Sequence, residues 1–156
     1  MFIYQRNTYA TILNSKNGGL KMIKILLCCG GGFSSSALTS KVKKEIVESN
    51  MQNDYYIEFS PFMLANKKVS EFDIIVCCPH LIMSVKKVVK NLNPDIPIYI
   101  LPPRMYGLIS FKELALDVVD AIDLYNKTKI NPVYFPGEEN TMLVTRYVAY
   151  RNSKTS

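Results

Sequence analysis

One short segment of the sequence has residue types and a spacing that could do chemistry. It reads Cys29-Gly30-Gly31-Gly32-Phe33-Ser34-Ser35-Ser36. Three glycines allow successive backbone N–H groups to point into one concavity, and a helix that starts directly afterwards adds its unpaired N-terminal amides. Such a loop binds a dianionic phosphoryl group without a metal ion or a cationic side chain. The same amides favour the thiolate form of a neighbouring cysteine, which makes Cys29 the candidate nucleophile.

Other interpretations of this loop are weaker or remain open. In a purely structural one, Cys29 is a small buried residue that ends a strand, and the glycines form a tight turn. The dinucleotide fingerprint G-x-G-x-x-G fails because Ser35 stands at its last glycine, and the phosphate loop G-x-x-x-x-G-K-[ST] fails because its lysine is missing. Two thiolate chemistries remain, which are hydrolysis of phosphate esters and relay of a phosphoryl group. A hydrolytic C-x₅-R-[ST] loop needs an arginine where Ser35 stands, whereas a relay needs none.

Three further cysteines and the only histidine stand at predicted strand ends. Cys28 precedes the loop, and the run Cys77-Cys78-Pro79-His80 closes the third predicted strand. Cys77 and Cys78 are interpreted as core and strand-end residues. His80 either completes a turn without chemistry or contacts the phosphoryl group or a partner's phosphohistidine. Zinc held by Cys78, His80 and one of the first pair is a weaker alternative, because C-x-x-C spacing is absent, and no cofactor is expected.

The hydrophobic pattern predicts four short strands and three helices. The strands are apolar runs at residues 23–28, 55–59, 73–78 and 98–101. The first helix follows the N-cap signal Ser34-Ser35-Ser36, and the second follows Pro79 and runs to Leu92. The third opens with the capping-box pattern Ser110-Phe111-Lys112-Glu113, and its apolar stripe continues to Tyr125.

Strands that alternate with helices predict an α/β fold, here a single three-layer domain with a parallel sheet and helices on both faces. Right-handed crossovers leave few topologies, of which strand order 2-1-3-4 is the commonest for four strands. Ligands of such sheets bind beyond the carboxyl ends of the strands, where the winding reverses. This point lies between the first and third strands. Cys29 and the run that ends in His80 are therefore expected to face each other across one crevice.

The composition excludes several classes of protein. A chain of 156 residues with 48% hydrophobic and 21% charged residues fits one globular domain and argues against intrinsic disorder. The first residues have neither a basic head nor a continuous apolar stretch, so no cleaved secretory signal is expected. The net charge of +6 does not indicate a nucleic-acid partner, because residues 1–21 carry three bases and no acid, and no basic stripe is interleaved with aromatic residues.

Three segments are predicted along the chain. Residues 1–21 are expected to form a flexible N-terminal extension, residues 22–126 the folded domain, and residues 127–156 a C-terminal extension. The last segment contains two dipeptides typical of turns, Asn131-Pro132 and Pro136-Gly137. Residues 142–150 are apolar enough to dock on the domain, but their spacing fits a strand and a helix equally well.

The loop resembles that of the IIB component of the bacterial sugar phosphotransferase system (PTS), lactose/cellobiose (chitobiose) type. The family's loop reads approximately C-S-A-G-M-S-T-S, and the eight residues from Cys29 match it position by position. A Gly-Pro-Gln after the family's third strand corresponds to Cys78-Pro79-His80, and a Tyr-Gly before its last helix corresponds to Tyr106-Gly107. The resemblance covers about residues 22–126. The chain departs from the family at Cys78 and His80, where Gly and Gln are common, and at Pro102, where many members have an acid.

The resemblance implies a fold like that of the low-molecular-weight tyrosine phosphatases and a role in phosphoryl relay. Cys29 falls on the phosphorylated cysteine of the family and Cys28 on an ordinary strand position. A IIA protein would donate the phosphoryl group from a phosphohistidine, and the membrane permease IIC would hold the acceptor sugar at the inner face of the cell membrane. His80 and Tyr106 would form the rim of the site. The residues that would bind the phosphoryl group are Gly30, Gly31, Gly32, Phe33, Ser34, Ser35 and Ser36.

Two other functions remain open. One is a small cysteine-dependent phosphatase or arsenate reductase on a related fold. The other is a regulatory binding module that keeps the fold without turnover.

Overall fold

A computed structural model of the protein describes residues 22–29, 33–108 and 110–153, with the backbone alone described for residues 33–36. The predicted N-terminal extension, residues 1–21, and the three loop glycines, residues 30–32, lie outside the described residues. None of the described helices is long and apolar enough to cross a membrane.

The core of the fold is a four-stranded parallel sheet. Its strands are β1 (Ile23–Cys29), β2 (Tyr55–Pro61), β3 (Ile74–Cys77) and β4 (Ile98–Ile100), in the order β2-β1-β3-β4. The predicted α/β class and the strand order 2-1-3-4 are confirmed. β1 is longer than predicted by one residue, because pairing with β2 continues to Cys29 opposite Pro61. The functional loop therefore begins directly at the last paired residue of a central strand.

The helices cover both faces of the sheet. The α-helices are α1 (Phe33–Glu48), α2 (Ile82–Leu92), α3 (Pro103–Leu108), α4 (Phe111–Thr128) and α5 (Tyr150–Ser153). Alternate residues of β1 point to opposite faces, as the pleat requires. Ile25 and Leu27 belong to one apolar cluster, which includes residues of α1 and α4, and Leu26 and Cys28 belong to the other, with residues of α2. A central strand that is buried on both faces explains the continuous apolar run from Ile25 to Cys29.

The structure differs from the sequence-based expectations at three helix starts. α1 begins at Phe33, so the three serines predicted to cap it lie inside its first turn. α3 was not predicted; it opens with Pro103 at its first position, where a missing N–H costs nothing. The predicted capping box at Ser110 is wrong, because Ser110 makes no side-chain cap hydrogen bond. Instead, the Phe111 N–H donates to Oε2 of Glu45 on α1 at 2.6 Å.

The C-terminal segment packs on α4 and β4. Val133 forms a parallel bridge with Tyr99, and its N–H donates to the carbonyl oxygen of Ile98 at 2.8 Å. Phe135 stacks on Tyr150 of α5, with ring centroids 4.7 Å apart. Residues 142–150, which the sequence left between strand and helix, contain the end of a 3₁₀ turn (Thr141–Leu143) and the first residue of α5. Tertiary contacts, not a continuous regular element, hold this segment.

A buried charged cluster anchors the segment to the domain. The Arg146 guanidinium donates to Oδ2 of Asp117 at 2.8 Å and to both carboxylate oxygens of Glu138 at 2.8 and 3.0 Å. It also donates to the Tyr99 hydroxyl at 3.0 Å. The Arg146 and Asp117 side chains are 6% and 0% exposed. Burial acts to lower the pKa of Arg146, but the hydrogen bonds to Glu138 and the charge of Asp117 raise it, so the guanidinium stays charged.

Loss of this guanidinium should destabilise the protein strongly. An Arg146→Met substitution keeps much of the side-chain volume but leaves the Asp117 carboxylate buried without its cation, which costs about 3–5 kcal/mol in the free energy of unfolding. Arg151→Met is the matched control, because the ion pair of Arg151 with Asp120 is about one-third exposed and should contribute less than about 1 kcal/mol. Urea unfolding followed by circular dichroism measures both. Equal losses in the two variants would contradict this assignment.

Candidate functional site

Cys29 is the last residue of β1 and lies at the carboxyl end of the sheet. β1 pairs with β2 on one side and with β3 on the other, so the crevice where the winding reverses opens directly beyond Cys29. The Cys29 side chain is buried, with 3% of its surface exposed. The backbone of the next described residues, from Phe33, is already helical. The thiol therefore stands between the end of a strand and the start of a 16-residue helix.

The end of β3 brings His80 to this thiol. The Cys78 N–H donates to the carbonyl oxygen of Cys28 at 3.1 Å, so the two strands stay in register past the last pair of the ladder. Pro79 then opens a 3₁₀ turn (Pro79–Leu81), which turns the chain across the end of β1. As a result Nε2 of His80 lies 3.1 Å from Sγ of Cys29, which is hydrogen-bond distance for sulfur. The imidazole is exposed and the thiol is buried behind it.

Tyr106 contacts the other side of the imidazole. Its ring and that of His80 meet edge to face, with centroids 6.3 Å apart and an interplanar angle of 69°. Tyr106 lies on α3, the short helix that follows β4 and the Pro102-Pro103 pair. The segments that follow two neighbouring strands thus supply the two predicted rim residues, which meet each other, and His80 also contacts Cys29. Edge-to-face contacts of this kind are a favoured geometry for aromatic rings.

The structure describes only part of the predicted phosphate-binding loop. Gly30, Gly31 and Gly32 lie outside the described residues. From Phe33 to Ser36 the backbone forms the first turn of α1. The N–H groups of a first turn lack intrahelical acceptors and carry the positive end of the helix dipole, so they point toward an anion placed before the helix. The backbone amides of the three serines are therefore placed to bind an anion, independently of their hydroxyl groups.

The other three cysteines have a different environment from Cys29. Cys28, Cys77 and Cys78 are completely buried, and no disulfide links any of the four. Burial raises the pKa of Cys28 to about 12, and the nearby Cys78 thiol adds to this effect. Burial also raises the pKa of Cys77 well above its usual value. The Cys28 and Cys77 thiols are therefore protonated at neutral pH, and all three buried cysteines pack as small apolar side chains.

The zinc alternative finds no support in the described residues. Within residues 22–29, 33–108 and 110–153, no three or more His, Cys, Asp or Glu side chains are grouped as a metal would need. Lys68 affects the Cys28 thiol electrostatically, and its Nζ donates to Oε1 of Glu58 at 2.7 Å.

Sequence reasoning did not identify every residue that shapes the site. It placed the run ending in His80 opposite the loop but left open whether the imidazole had any role. The helix Pro103–Leu108, which carries Tyr106, was missed because a six-residue helix is too short to show periodicity. The contact of Glu45 with the start of α4 was also missed, since the two residues are far apart in sequence. No local signal in the sequence could have revealed that contact.

Comparison with known proteins agrees with this architecture. Residues 24–115 match the family model for the "PTS system, Lactose/Cellobiose specific IIB subunit". That range contains Cys29, His80 and Tyr106. No curated protein matches the chain in sequence.

Two solved structures resemble the fold. One is the solution structure of the cellobiose-specific phosphotransferase IIB component from Borrelia burgdorferi, with a TM-score of 0.54, 24% identity, and coverage of 67% of this chain and 95% of that one. The other is the lactose-specific IIB component domain from Streptococcus pneumoniae, with a TM-score of 0.40, 14% identity, and coverage of 69% and 97%. Since the family match spans more than half of the sequence, the chain belongs to the lactose/cellobiose-specific IIB family of the PTS, the phosphotransferase system of sugar transport.

Proposed function

We propose that Cys29 carries a phosphoryl group from the phosphohistidine of a PTS IIA protein to a sugar held by the membrane permease IIC. The sugar belongs to the cellobiose, lactose or chitobiose class, and the protein works in the cytoplasm at the inner face of the membrane. The observation that carries the proposal is the position of the Cys29 thiol. Cys29 ends a central strand, four residues before the first residue of helix α1, and its Sγ lies 3.1 Å from an imidazole nitrogen.

The transfer has two steps, each an in-line displacement at phosphorus. In the first, the Cys29 thiolate forms an S–P bond as the N–P bond of the phosphohistidine breaks, and the electron pair of that bond stays on the donor nitrogen. A donor ring that is protonated on its other nitrogen leaves as neutral imidazole. In the second step, a sugar hydroxyl attacks phosphorus and gives its proton to a base beside the sugar in IIC. The S–P electron pair returns to Sγ of Cys29.

The chemistry favours relay over hydrolysis. A hydrolytic loop of the C-x₅-R type clamps the phosphate with an arginine, and residues 30–36 contain no arginine, lysine or histidine. Backbone amides of the first turn of α1 can stabilise the phosphoryl charge instead. A loop that binds the group without activating water for attack suits an intermediate that must survive until the acceptor arrives.

Exposed apolar side chains follow three of the strand ends around Cys29. Met63 comes shortly after β2, Met83 lies in the first turn of α2 after β3, and Leu108 ends α3 after β4. They are 86%, 74% and 66% exposed. Large exposed apolar side chains at the mouth of a site are typical of protein contact surfaces. We assign to this rim the contact with IIA and IIC.

Replacing Cys29 by Ser should abolish the phosphoryl adduct, because a serine hydroxyl at neutral pH is a far weaker nucleophile than a thiolate. Replacing the adjacent Cys28 by Ala should leave the adduct intact, since the Cys28 thiol is fully buried and protonated. Incubation with phosphorylated IIA, followed by intact mass and peptide mapping, measures both variants.

Each alternative predicts a different experimental result. An adduct on Cys28 with none on Cys29 would contradict the assignment of the nucleophile. Steady release of phosphate from an aryl phosphate would support a phosphatase. A wild-type protein that binds IIA but takes up no phosphoryl group would support a regulatory module.

A charge placed on the apolar rim should slow transfer between proteins without affecting the thiol. A Met83→Glu substitution should lower the rate of phosphoryl transfer from IIA or to the IIC-bound sugar by about tenfold, the effect of losing about 1.4 kcal/mol of binding. Ile130→Glu is the control, because Ile130 is also exposed (64%) but follows α4, whose end lies toward the amino ends of the strands. Stopped-flow or quench-flow transfer assays measure both. A rate unchanged by Met83→Glu, or lowered equally by Ile130→Glu, argues against the rim as the contact surface.

A further inference from the structure

The inference concerns the pair formed by His80 and Cys29, and it rests on the proposed role of Cys29. Its geometry follows from the backbone. The hydrogen bond from the Cys78 N–H to the Cys28 carbonyl oxygen ties the end of β3 to the end of β1, and Pro79 turns the chain immediately afterwards. His80 lies within this turn, at the end of β1. Its Nε2 meets Sγ of Cys29 at 3.1 Å.

This contact distinguishes Cys29 from the other thiols. Cys28 and Cys77 oppose each other in the β1–β3 ladder, and burial raises the pKa of both. The imidazole of His80 is within hydrogen-bond distance of Cys29. The chain contains only one histidine. The fold thus brings the only imidazole of the chain into contact with the thiol that the proposed relay uses.

The candidate loop itself contains no cationic side chain that could stabilise a thiolate. Residues 30–36 are all neutral glycines, serines and a phenylalanine. Lys68 affects the neighbouring Cys28 electrostatically but donates its hydrogen bond to Glu58. The Tyr106 ring meets the imidazole edge to face. Titratable groups beside the pair include Cys28 on β1, Cys77 and Cys78 at the end of β3, and Tyr106 on α3.

We propose that His80 is a second catalytic residue, which accepts the Cys29 proton on Nε2 and then stabilises the thiolate as an imidazolium. The S–H bond breaks, its electron pair stays on Sγ, and an N–H bond forms on Nε2. This requires neutral His80 to carry its hydrogen on Nδ1 before the transfer. When the S–P bond later breaks, the returning thiolate again faces the Nε2–H group. The proton therefore remains on His80 through the cycle, and each turn of the relay starts from the ion pair.

The rate of thiol alkylation as a function of pH tests this directly. Iodoacetamide reacts with the thiolate, so its rate with Cys29 follows the thiolate fraction. A His80→Gln substitution keeps an N–H donor but removes the proton acceptor and the charge, and His80 is exposed, so the fold should tolerate it. We expect the pH midpoint of Cys29 alkylation to rise by roughly one to two pH units in this variant, as loss of a charge-assisted hydrogen bond predicts. Tandem mass spectrometry separates the label on Cys29 from any on Cys28.

A matched control separates the local contact from net charge. Lys86→Gln removes one positive charge from the exposed surface of α2, and the midpoint should stay at the wild-type value. Circular dichroism and urea unfolding of His80→Gln should match the wild type. A midpoint unchanged in His80→Gln, or moved equally by Lys86→Gln, would overturn the proposal.

The outcome is distinguishable from a failure of the proposed function. Alkylation needs no partner protein, whereas the relay is tested by the adduct formed with phosphorylated IIA. If wild-type Cys29 takes no phosphoryl group but shows the His80-dependent midpoint, the relay fails and the thiolate–imidazolium pair stands. If the adduct forms and the midpoint does not depend on His80, the relay stands and this inference fails.

Discussion

The hydrogen bond between the Cys78 N–H and the Cys28 carbonyl oxygen controls the geometry of the candidate site. It extends the β1–β3 pairing one step beyond the ladder, at the edge where the functional loop begins. Parallel strands carry evenly spaced hydrogen bonds, so this step places the next residues of the two chains side by side. Cys29 and the Pro79 turn thereby become neighbours although they are about fifty residues apart in sequence. Without this register, the imidazole would have no route to the thiol.

The rest of the domain keeps this register rigid. β1 and β3 are buried on both faces, with alternate side chains in two separate apolar clusters. A one-residue slip of either strand would exchange the two sets of side chains between clusters and disturb packing on both faces. The buried Arg146–Asp117–Glu138 cluster binds the C-terminal segment to α4, and Tyr99 links this cluster to β4. β4 in turn leads into α3, which carries Tyr106 to the rim.

The four cysteines differ in the groups that surround their thiols. Three are buried where desolvation penalises a thiolate, and two of these have pKa values raised by that burial. Cys29 is buried as well, but its thiol is within hydrogen-bond distance of an imidazole. The fold that makes Cys28 inert thus places the neighbouring thiol beside a group that can exchange a proton with it. A single step along β1 changes which face of the sheet, and which surroundings, the side chain meets.

The sequence by itself determined the class of the fold and the nucleophile candidate. Apolar runs of strand length, helical stripes between them and the glycine-serine loop after the first strand carry this information locally, and right-handed crossovers leave few strand orders to choose from. Only the tertiary structure decided which side chains accept the backbone N–H groups at the starts of the helices. Glu45 from α1, not the local Ser110, accepts the first N–H of α4, and Glu113 instead accepts the Ala149 N–H. The contact of His80 with Cys29 is of the same kind, because a hydrogen bond between residues distant in sequence depends on the exact register of two strands and on a turn, and neither leaves a periodic signal in the chain.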